Sequence, residues 1–277
     1  MAGNLYIVAT PIGNLGDISE RAVEILKQVD LIAAEDTRHS KTLLDRFAIS
    51  TKVRAYHEHN EDQLTSQLIQ KLMGGESIAL ISDAGTPLIN DPGYKLVAAA
   101  HDNGIQVVPI PGPSAIITAL SASGLPTNKF IFEGYLPVKS EARKKCLLEL
   151  MSELRTLIFY EAPHRILETM QAMQDVFGSE RRVTIGRELT KQFEQIVRDS
   201  VSEINAKLEN GEIKIKGEFV VILEGAQEVS VADTEALRIN QILSEKLSPK
   251  DAAGLTAKIT GKKKNEVYKL TLESVEK

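Results

Sequence analysis

The chain has 277 residues, of which 43% are apolar, and this is enough to bury one large core or two ordinary ones. Its formal net charge of −5 argues against a protein that coats nucleic acid through bulk electrostatics. The single cysteine, Cys146, excludes a disulfide framework and a thiolate cluster for zinc or iron–sulfur chemistry, and it favours a reducing compartment. The apolar runs are shorter than a membrane span and the first residues lack signal-peptide features, so we expect a cytoplasmic protein that does not enter a membrane.

In the first part of the chain, short apolar runs alternate with stretches of helical periodicity. The apolar runs predict strands at residues 5–9, 31–34, 53–56, 78–82 and 106–110. The periodic stretches predict helices at residues 18–28, 39–47, 63–72 and 94–103. Such an alternation implies a largely parallel sheet with helices on both faces.

The rest of the chain predicts a second α/β unit and a helical module. After a helix at 115–122, strands are predicted at 130–133, 156–160, 182–187 and 218–224, and helices at 141–154, 166–177 and 201–210. Residues 226–233 have the composition of a linker, and three short helices are predicted beyond it at 234–246, 249–259 and 264–273. We therefore expect an α/β fold with one α/β domain over residues 1–111, a second over 112–226, and a helical module over 233–277.

The C-terminal module is rich in lysine. Residues 246–277 contain eight lysines and four acidic residues. A turn at residues 260–261 between two short helices is compatible with a helix-turn-helix, although small helical bundles without a nucleic-acid function have the same pattern. A run of like charges is usually a solvated face, and RNA binding is the alternative.

Two loops rich in glycine and proline follow predicted buried strands. Residues 79–87 pass from an apolar run into Asp83, Gly85 and Pro87, and residues 107–115 contain three prolines and one glycine. Ligands of α/β proteins bind where such loops leave the sheet. The two loops therefore predict one cleft.

A third loop, at residues 10–16, follows the first predicted strand. It is neither a GxGxxG motif nor a P-loop, because no Gly-Lys-Ser/Thr ends it. Pro11 also lacks the backbone donor that a phosphate cradle needs. This loop suits a neutral or cationic ligand better than a polyphosphate.

Six strings, in chain order, resemble the tetrapyrrole methylase family, in its branch of small-subunit ribosomal RNA methyltransferases. They are ATPIGNL at 9–15, AEDTR at 34–38, YHEHNE at 56–61, SDAGTP at 82–87, FYEAPHR at 159–165 and RELTK at 187–191. The resemblance covers residues 4–225, and the lysine-rich tail resembles a C-terminal module found in many members. Several motifs at consistent spacing are far more specific than any one of them.

This resemblance implies a fold and a reaction. The fold would be two α/β domains with S-adenosylmethionine in the cleft between them, in a homodimer. The reaction would be 2′-O-methylation of a cytidine in the decoding region of small-subunit (16S) ribosomal RNA, as the RNA alone or in the assembled 30S subunit. A sulfonium methyl is already activated, so the enzyme mainly has to align the reacting atoms, and no metal is required.

The resemblance also assigns residues to the site. The cofactor would contact Pro11, Gly13, Asp83, Ala84, Gly85, Thr86, Ser114, Ala115, Tyr160, Glu161, Ala162 and Arg187. A ribose hydroxyl is a weak nucleophile, so a base or a charge that favours the alkoxide would help. Candidates are Asp36, Lys191, Glu188, His57 and Glu58, with Asp36 and Lys191 first because they lie in branch-specific strings. RNA phosphates would meet Arg38, Arg165, Arg187, Lys258, Lys262, Lys263 and Lys264.

Several of these residues also have a purely structural interpretation. Asp36 and Arg38 have the pattern of a helix cap and a salt bridge. His57 and His59 have metal-ligand character, but the cluster that a metal would need is missing. Asp83 can close its own turn, and Glu161 can order its own loop.

Two other functions compete with RNA methylation. A tetrapyrrole methyltransferase that acts on carbon would share the cofactor cleft, but it needs a wide apolar substrate trough, which the charged string at 57–61 and the lysine-rich tail disfavour. A non-enzymatic RNA- or nucleotide-binding protein on the same scaffold would hold the cofactor without consuming it.

Overall fold

The computed structural model describes residues 2–227 and 231–275. The first sheet contains β1 Leu5–Val8, β2 Leu31–Ala34, β3 Val53–Ala55, β4 Ile78–Ile81 and β5 Val107–Ile110. All its neighbours pair in parallel, in the order β3-β2-β4-β1-β5. The parallel sheet predicted from the alternating pattern is confirmed.

Helices cover both faces of this sheet. They are α1 Glu20–Gln28, α2 Thr37–Arg46, α3 Glu61–Met73 and α4 Tyr94–Asp102. One apolar cluster joins the sheet to α3 and α4, for example through Leu68 and Leu96. Another joins the opposite face to α1 and α2, through Leu26 and Leu44. Because both faces of the sheet are buried, the sequences of its strands are nearly continuous apolar runs. This pattern allowed the strands to be predicted from the sequence.

The second sheet is mixed. It contains β6 Phe130–Tyr135, β7 Thr156–Glu161, β8 Arg182–Arg187, β9 Gln195–Ser200 and β10 Phe219–Leu223, in the order β6-β7-β10-β8-β9. Only β6 and β7 are parallel, and the other neighbours are antiparallel. The strand β9 was not predicted. It is an edge strand with polar and partly exposed residues, so it lacks the apolar run of a buried strand.

Each face of the second sheet has its own cover. Helices α6 Ser140–Glu149, α7 Ile166–Phe177 and α8 Val201–Glu209 pack on one face around Phe159 and Met170. The other face receives α5 Ala115–Ala122, the helix that follows β5. Ile12, from the loop after β1, joins the same cluster. The two sheets are therefore joined by apolar packing and not only by the chain between them.

Three helices form the C-terminal module: α9 Val231–Ser244, α10 Pro249–Thr260 and α11 Lys264–Val275. Ser248 caps α10 by accepting a hydrogen bond from the Asp251 backbone, and Gly261 ends it in the left-handed conformation. The core is made of small residues, Ala253 and Ala257, against Val267. Residues 228–230 of the predicted linker, Met1 and residues 276–277 lie outside the described residues. Across 2–227 and 231–275, no helix is long and apolar enough to cross a membrane.

We expect the packing between α5 and the second sheet to be a large contribution to stability. Leu120 is 5% exposed, whereas Ile117 on the same helix is 54% exposed. Leu120→Ala should lower the free energy of unfolding by about 2–4 kcal/mol, because it leaves a cavity in this cluster. Ile117→Ala should change it by about 0.5 kcal/mol or less. Urea denaturation measures both values, and equal effects would contradict the packing described for α5.

Candidate active site

The carboxyl ends of the first sheet's strands meet the second sheet at two adjoining cavities. We call the first the acidic cavity, of about 240 Å³, whose lining includes Glu35, Asp91 and Tyr160. We call the second the lysine cavity, of about 720 Å³, whose lining includes Asp36, Arg38 and Lys191. The two cavities share Ile12, Asp83, Ala84 and Glu218. This position is the usual ligand site of an open parallel sheet.

The loop after β4 forms one wall of the acidic cavity. Gly85 has a φ of +83°, and its backbone pairs with Thr10 through two hydrogen bonds of 2.8 and 3.0 Å. The Thr86 hydroxyl donates to the carbonyl of Pro113 at 3.0 Å. These bonds tie together the loops after β1, β4 and β5, and so hold the wall in a fixed shape.

Of the residues predicted to contact the cofactor, seven line the acidic cavity together. They are Asp83, Ala84, Gly85, Thr86, Ser114, Ala115 and Tyr160. Pro11 and Gly13 lie instead on the adjoining lysine cavity. The predicted single cleft is thus built from both domains, with two compartments.

A strained turn closes the acidic cavity against the second sheet. Leu88 and Asn90 have φ values of +74° and +67°, which cost energy for residues with a Cβ. Asn90 approaches Gly134 so closely that a Cβ on Gly134 would lie 3.0 Å from the Asn90 Oδ1 atom. Gly134 lies at a register shift in β6, which provides the space for this approach.

Four carboxylates line the acidic cavity: Glu35, Asp83, Asp91 and Glu218. Burial raises the pKa of Asp91 to about 6, the nearby charges of Glu35 and Asp83 add to this, and a hydrogen bond with Ser82 opposes it. Burial also raises the pKa of Glu35. No lysine, arginine or histidine is among the described residues that line this cavity. The cavity therefore favours a ligand with positive charge.

Aromatic side chains form the opposite wall. The rings of Tyr135 and Tyr160 lie 5.6 Å apart between centroids, and Phe132 packs on Tyr160 at 4.8 Å. Burial raises the pKa of Tyr160 to about 12, so its phenol stays protonated. With Leu189 and Val220 in the same lining, Tyr135 and Tyr160 give the cavity an aromatic and apolar wall.

Lys191 is part of the lining of the lysine cavity. Its ammonium donates to Glu188 at 2.8 Å and to Glu218 at 2.7 Å. Burial opposes the charge, but these two bonds outweigh it and raise the pKa of Lys191. The lysine stem lies directly over Gly13, where an added Cβ would be 2.4 Å from the Lys191 Cγ atom. Gly217 similarly leaves room for Glu188, since a Cβ there would lie 2.3 Å from the Glu188 Cδ atom.

Asp36 has both of the structural roles that its sequence suggested. It caps α2 by accepting a bond from the Arg38 backbone at 2.8 Å, and its carboxylate pairs with the Arg38 guanidinium at 3.0 Å. The Arg38 hydrogen bonds lower the pKa of Asp36 to about 2. At neutral pH, Asp36 is therefore an anion and a weak base, and Lys191 is a cation.

Glu161 and Ala162 do not line either cavity. The Glu161 carboxylate is buried, where it accepts hydrogen bonds from the Thr169 hydroxyl and the Ala162 backbone. Arg165 lies 3.4 Å from the same carboxylate and donates to the carbonyls of Leu136 and Pro137. The structure thus gives Glu161, Ala162 and Arg165 a role in ordering the second domain, and the Arg165 guanidinium is not presented to a phosphate.

The Arg187 side chain is also buried. It is 7% exposed and donates to the carbonyls of Lys216 and Phe193 at 2.7 and 3.0 Å. It lines neither the acidic cavity nor the lysine cavity.

His57 and Glu58 also lie outside the lining of both cavities. The backbone of His57 donates to the Asn60 side chain at 2.9 Å, which closes the turn before α3. Glu58 acts only at a distance, because its charge contributes to the raised pKa of Glu35. Among the residues that the structure describes, no group of three or more potential ligands is suited to a metal ion.

Sequence reasoning missed several lining residues, above all Asp91, Glu35 and Glu218. Glu35 stands in the string at 34–38, and Asp91 follows the loop that ends at Pro87. Both were therefore within stretches that carried a signal. Glu218 was not recognisable, because it is far from every such string and reaches the site only through β10.

Comparisons with known proteins identify the family to which the chain is related. The family model for tetrapyrrole (corrin/porphyrin) methylases matches residues 4–205, and a model for the RsmI C-terminal HTH domain matches residues 230–274. A Vibrio cholerae protein named ribosomal RNA small subunit methyltransferase I is 54% identical, over 98% of this chain and 95% of that protein. Its namesake in Escherichia coli O157:H7 is 52% identical, over 98% and 95%.

Solved structures share the fold at low identity. Cobalt precorrin-4 methyltransferase has a TM-score of 0.58 at 16% identity, over 80% of this chain and 94% of that one. The Thermus thermophilus uroporphyrin-III C-methyltransferase, complexed with S-adenosyl homocysteine, has a TM-score of 0.55 at 14% identity, over 80% and 97%. The chain belongs to the tetrapyrrole methylase family. The predicted fold and the predicted S-adenosylmethionine-dependent methyltransferase activity are confirmed.

The acidic cavity fits S-adenosylmethionine. The cofactor carries a sulfonium cation, which Glu35, Asp83 and Asp91, the lining carboxylates without an ion-pair partner among the described residues, would favour. Its planar adenine suits the wall formed by Tyr135 and Tyr160. Backbone groups of the loop after β4, and those around Ser114, would hold its amino-acid end.

Proposed function

We propose that the protein transfers a methyl group from S-adenosylmethionine to the ribose 2′-hydroxyl of a cytidine in the decoding region of small-subunit ribosomal RNA. The observation that carries the proposal is the pair of adjoining cavities, one acidic and one lined by Arg38 and Lys191. The names of the Vibrio and Escherichia relatives support the RNA as substrate. Action on ribosomes would place the protein in the cytoplasm.

The methyl donor and the methyl acceptor place opposite electrostatic requirements on the site. When bound, the cofactor supplies an activated methyl on a sulfonium, and the sulfur becomes a neutral thioether after transfer. The attacking hydroxyl, by contrast, develops negative charge as it loses its proton. Lys191 is held as a cation by Glu188 and Glu218, and we infer that its ammonium stabilises this developing charge.

Asp36 is suited to orienting the hydroxyl rather than to removing its proton. Its pKa of about 2 makes it a poor base at neutral pH, but the carboxylate remains a strong hydrogen-bond acceptor. The Arg38 guanidinium is paired with Asp36, but its side chain is 90% exposed and so is accessible to a neighbouring phosphate. In this scheme the proton passes to solvent in the open cavity.

A homodimer and the assembled 30S subunit as the substrate are also part of the proposal. Phe130 and Leu154 are exposed and line a surface cavity of the second domain among charged residues, and Leu148 and Met151, close to its lining in the chain, are also exposed. An exposed apolar patch is usual at an interface between subunits.

The direct test of the function is transfer of labelled methyl to purified small ribosomal subunits, followed by nuclease mapping of the RNA. Parallel reactions with the free RNA would identify which form is the substrate. We expect the label in a 2′-O-methylcytidine. Cofactor binding without any label in RNA would contradict the proposal and would favour a tetrapyrrole substrate or a pure binding function.

We expect Lys191→Met to lower kcat by about 10²–10³-fold, the usual loss when a group that stabilises an oxyanion is removed. The dissociation constant of the cofactor should not rise, because Lys191 does not line the acidic cavity and its loss leaves the Glu218 carboxylate there unpaired. Lys214→Met, at an exposed position outside both cavities, is the matched control. Gly13→Ala should also lower kcat, because its Cβ would displace the lysine stem.

A double-mutant cycle separates this mechanism from a general disturbance of the loop. If Gly13→Ala acts through Lys191, the two substitutions together should cost little more than Lys191→Met alone. Additive losses would mean that Gly13 acts independently of the lysine.

We propose that the lysine-rich module contacts RNA phosphates. Lys258, Lys263 and Lys264 are exposed around the turn between α10 and α11. Their replacement by Gln should reduce the slope of log affinity against log salt by about 2–3, since each phosphate contact contributes roughly 0.7–0.9. The control replaces three exposed lysines elsewhere, Lys27, Lys52 and Lys139, by Gln. An equal change of the slope in both triple variants would mean that the lysines of the module act only through the net charge of the protein.

A further inference from the structure

Three of the four carboxylates in the acidic cavity, Glu35, Asp83 and Asp91, have no ion-pair partner among the described residues. Glu218 is paired with Lys191 at 2.7 Å, and Asp83 accepts a bond from the Asp36 backbone at 3.0 Å. Glu35 accepts only a long bond, of 3.3 Å, from the Asp83 backbone. Asp91 has the Ser82 hydroxyl as its hydrogen-bond partner. Asp91 thus leaves negative charge uncompensated inside a small cavity, whereas the nearby charge of His39 partly offsets that of Glu35.

The surroundings of Asp91 make that charge costly. The titratable groups that face it are Glu35 from the end of β2, Asp83 from the loop after β4, and Tyr135 and Tyr160 from the second sheet. None of these carries positive charge. The residue before Asp91, Asn90, has a φ of +67°, in the left-handed region that is uncommon for residues with a side chain. Sites that keep such unfavourable arrangements are usually functional, because a stable fold alone would not select them.

The cofactor before and after methyl transfer differs in charge more than in shape. The two forms share adenosine and the amino-acid end, and they differ by one methyl group and by the positive charge on sulfur. Apolar contacts with Tyr160, Leu189 or Val220 therefore distinguish them only weakly. An uncompensated carboxylate distinguishes them strongly, because it attracts the sulfonium and gains little from the thioether.

We propose that Asp91, supported by Glu35, is a specificity-determining residue that makes the acidic cavity prefer the sulfonium form of the cofactor over the neutral thioether product. The inference depends on the cofactor assignment and not on the RNA substrate. Its consequence for the reaction is that loss of the methyl group removes the charge that held the ligand. Product release is thereby favoured at the moment when transfer is complete.

The preference should depend on pH in a defined direction. The cation binds the deprotonated form of Asp91, so affinity for S-adenosylmethionine should rise as the pH rises through about 6 and then level off. The affinity for S-adenosylhomocysteine should change much less over the same range. The ratio of the two affinities is therefore the quantity to measure.

Isothermal titration calorimetry with each ligand, at pH 5 and pH 7.5, tests the proposal without any RNA. For the unsubstituted protein we expect affinity for S-adenosylmethionine to increase about tenfold between the two pH values, the factor that corresponds to one pKa unit. Asp91→Asn should lower that affinity about tenfold at pH 7.5 and remove most of the pH dependence. It should change the affinity for S-adenosylhomocysteine by about threefold or less.

Matched variants separate charge from structure. Asp102→Asn removes a carboxylate from the exposed end of α4 and should leave both affinities unchanged. Glu35→Gln should shift the ratio in the same direction as Asp91→Asn, but less. Thermal unfolding without ligand gives a second readout: a carboxyl whose pKa is raised in the folded state loses stability as the pH rises through about 4–6. Asp91→Asn should therefore raise the melting temperature at pH 8 and not at pH 4.

The outcomes distinguish this inference from the assignment of the cofactor. Equal weakening of both ligands by Asp91→Asn would overturn the role in charge selection and leave the cofactor assignment standing. A lower melting temperature at pH 8 would mean that Asp91 supports the fold, and it would also overturn the inference. Failure of the unsubstituted protein to bind either ligand would instead contradict the cofactor assignment itself.

Discussion

The packing of Ile12 and α5 against the second sheet is the interaction on which the site depends. Ile12 follows Thr10, whose backbone pairs with Gly85, and precedes Gly13, which lies under Lys191. Burial of one apolar side chain thus fixes the loop after β1 relative to both the loop after β4 and the second domain. Both cavities border on Ile12, so the same contact aligns the two compartments.

The two compartments answer opposite electrostatic demands. In the proposed reaction, methyl transfer starts from a cation on sulfur and passes through negative charge on the attacking oxygen. The acidic cavity has carboxylates and no lining cation among the described residues, whereas the lysine cavity presents Lys191 and Arg38. Glu218 belongs to both, and its ion pair with Lys191 marks the boundary between them. The carboxylates therefore lie where the cofactor carries positive charge, and Lys191 lies where negative charge would develop on the methyl acceptor.

Two residues that were predicted for the site, Glu161 and Arg187, line neither cavity. Tyr160 and Glu161 are neighbours in β7, and side chains alternate across a strand, so only one of them can face the cleft. Tyr160 lines the acidic cavity and Glu161 turns into the core beneath α7, where Thr169 binds it. Alternation would have separated the two. No comparable signal exists for Arg187, because its partners are carbonyls at Phe193 and Lys216, which only the folded loops bring together.

By itself the sequence determined the parallel first sheet, the three-part organisation and the loops that meet at the cleft, because these follow from apolar periodicity and from glycine and proline in local turns. The resemblance in its strings identified the family and the cofactor. Only the tertiary structure decided that Glu35, Asp91 and Glu218 share a cavity, and that Lys191 is held as a cation over Gly13. Charge and pKa at the site depend on burial and on neighbours distant in the chain, and no local pattern records either.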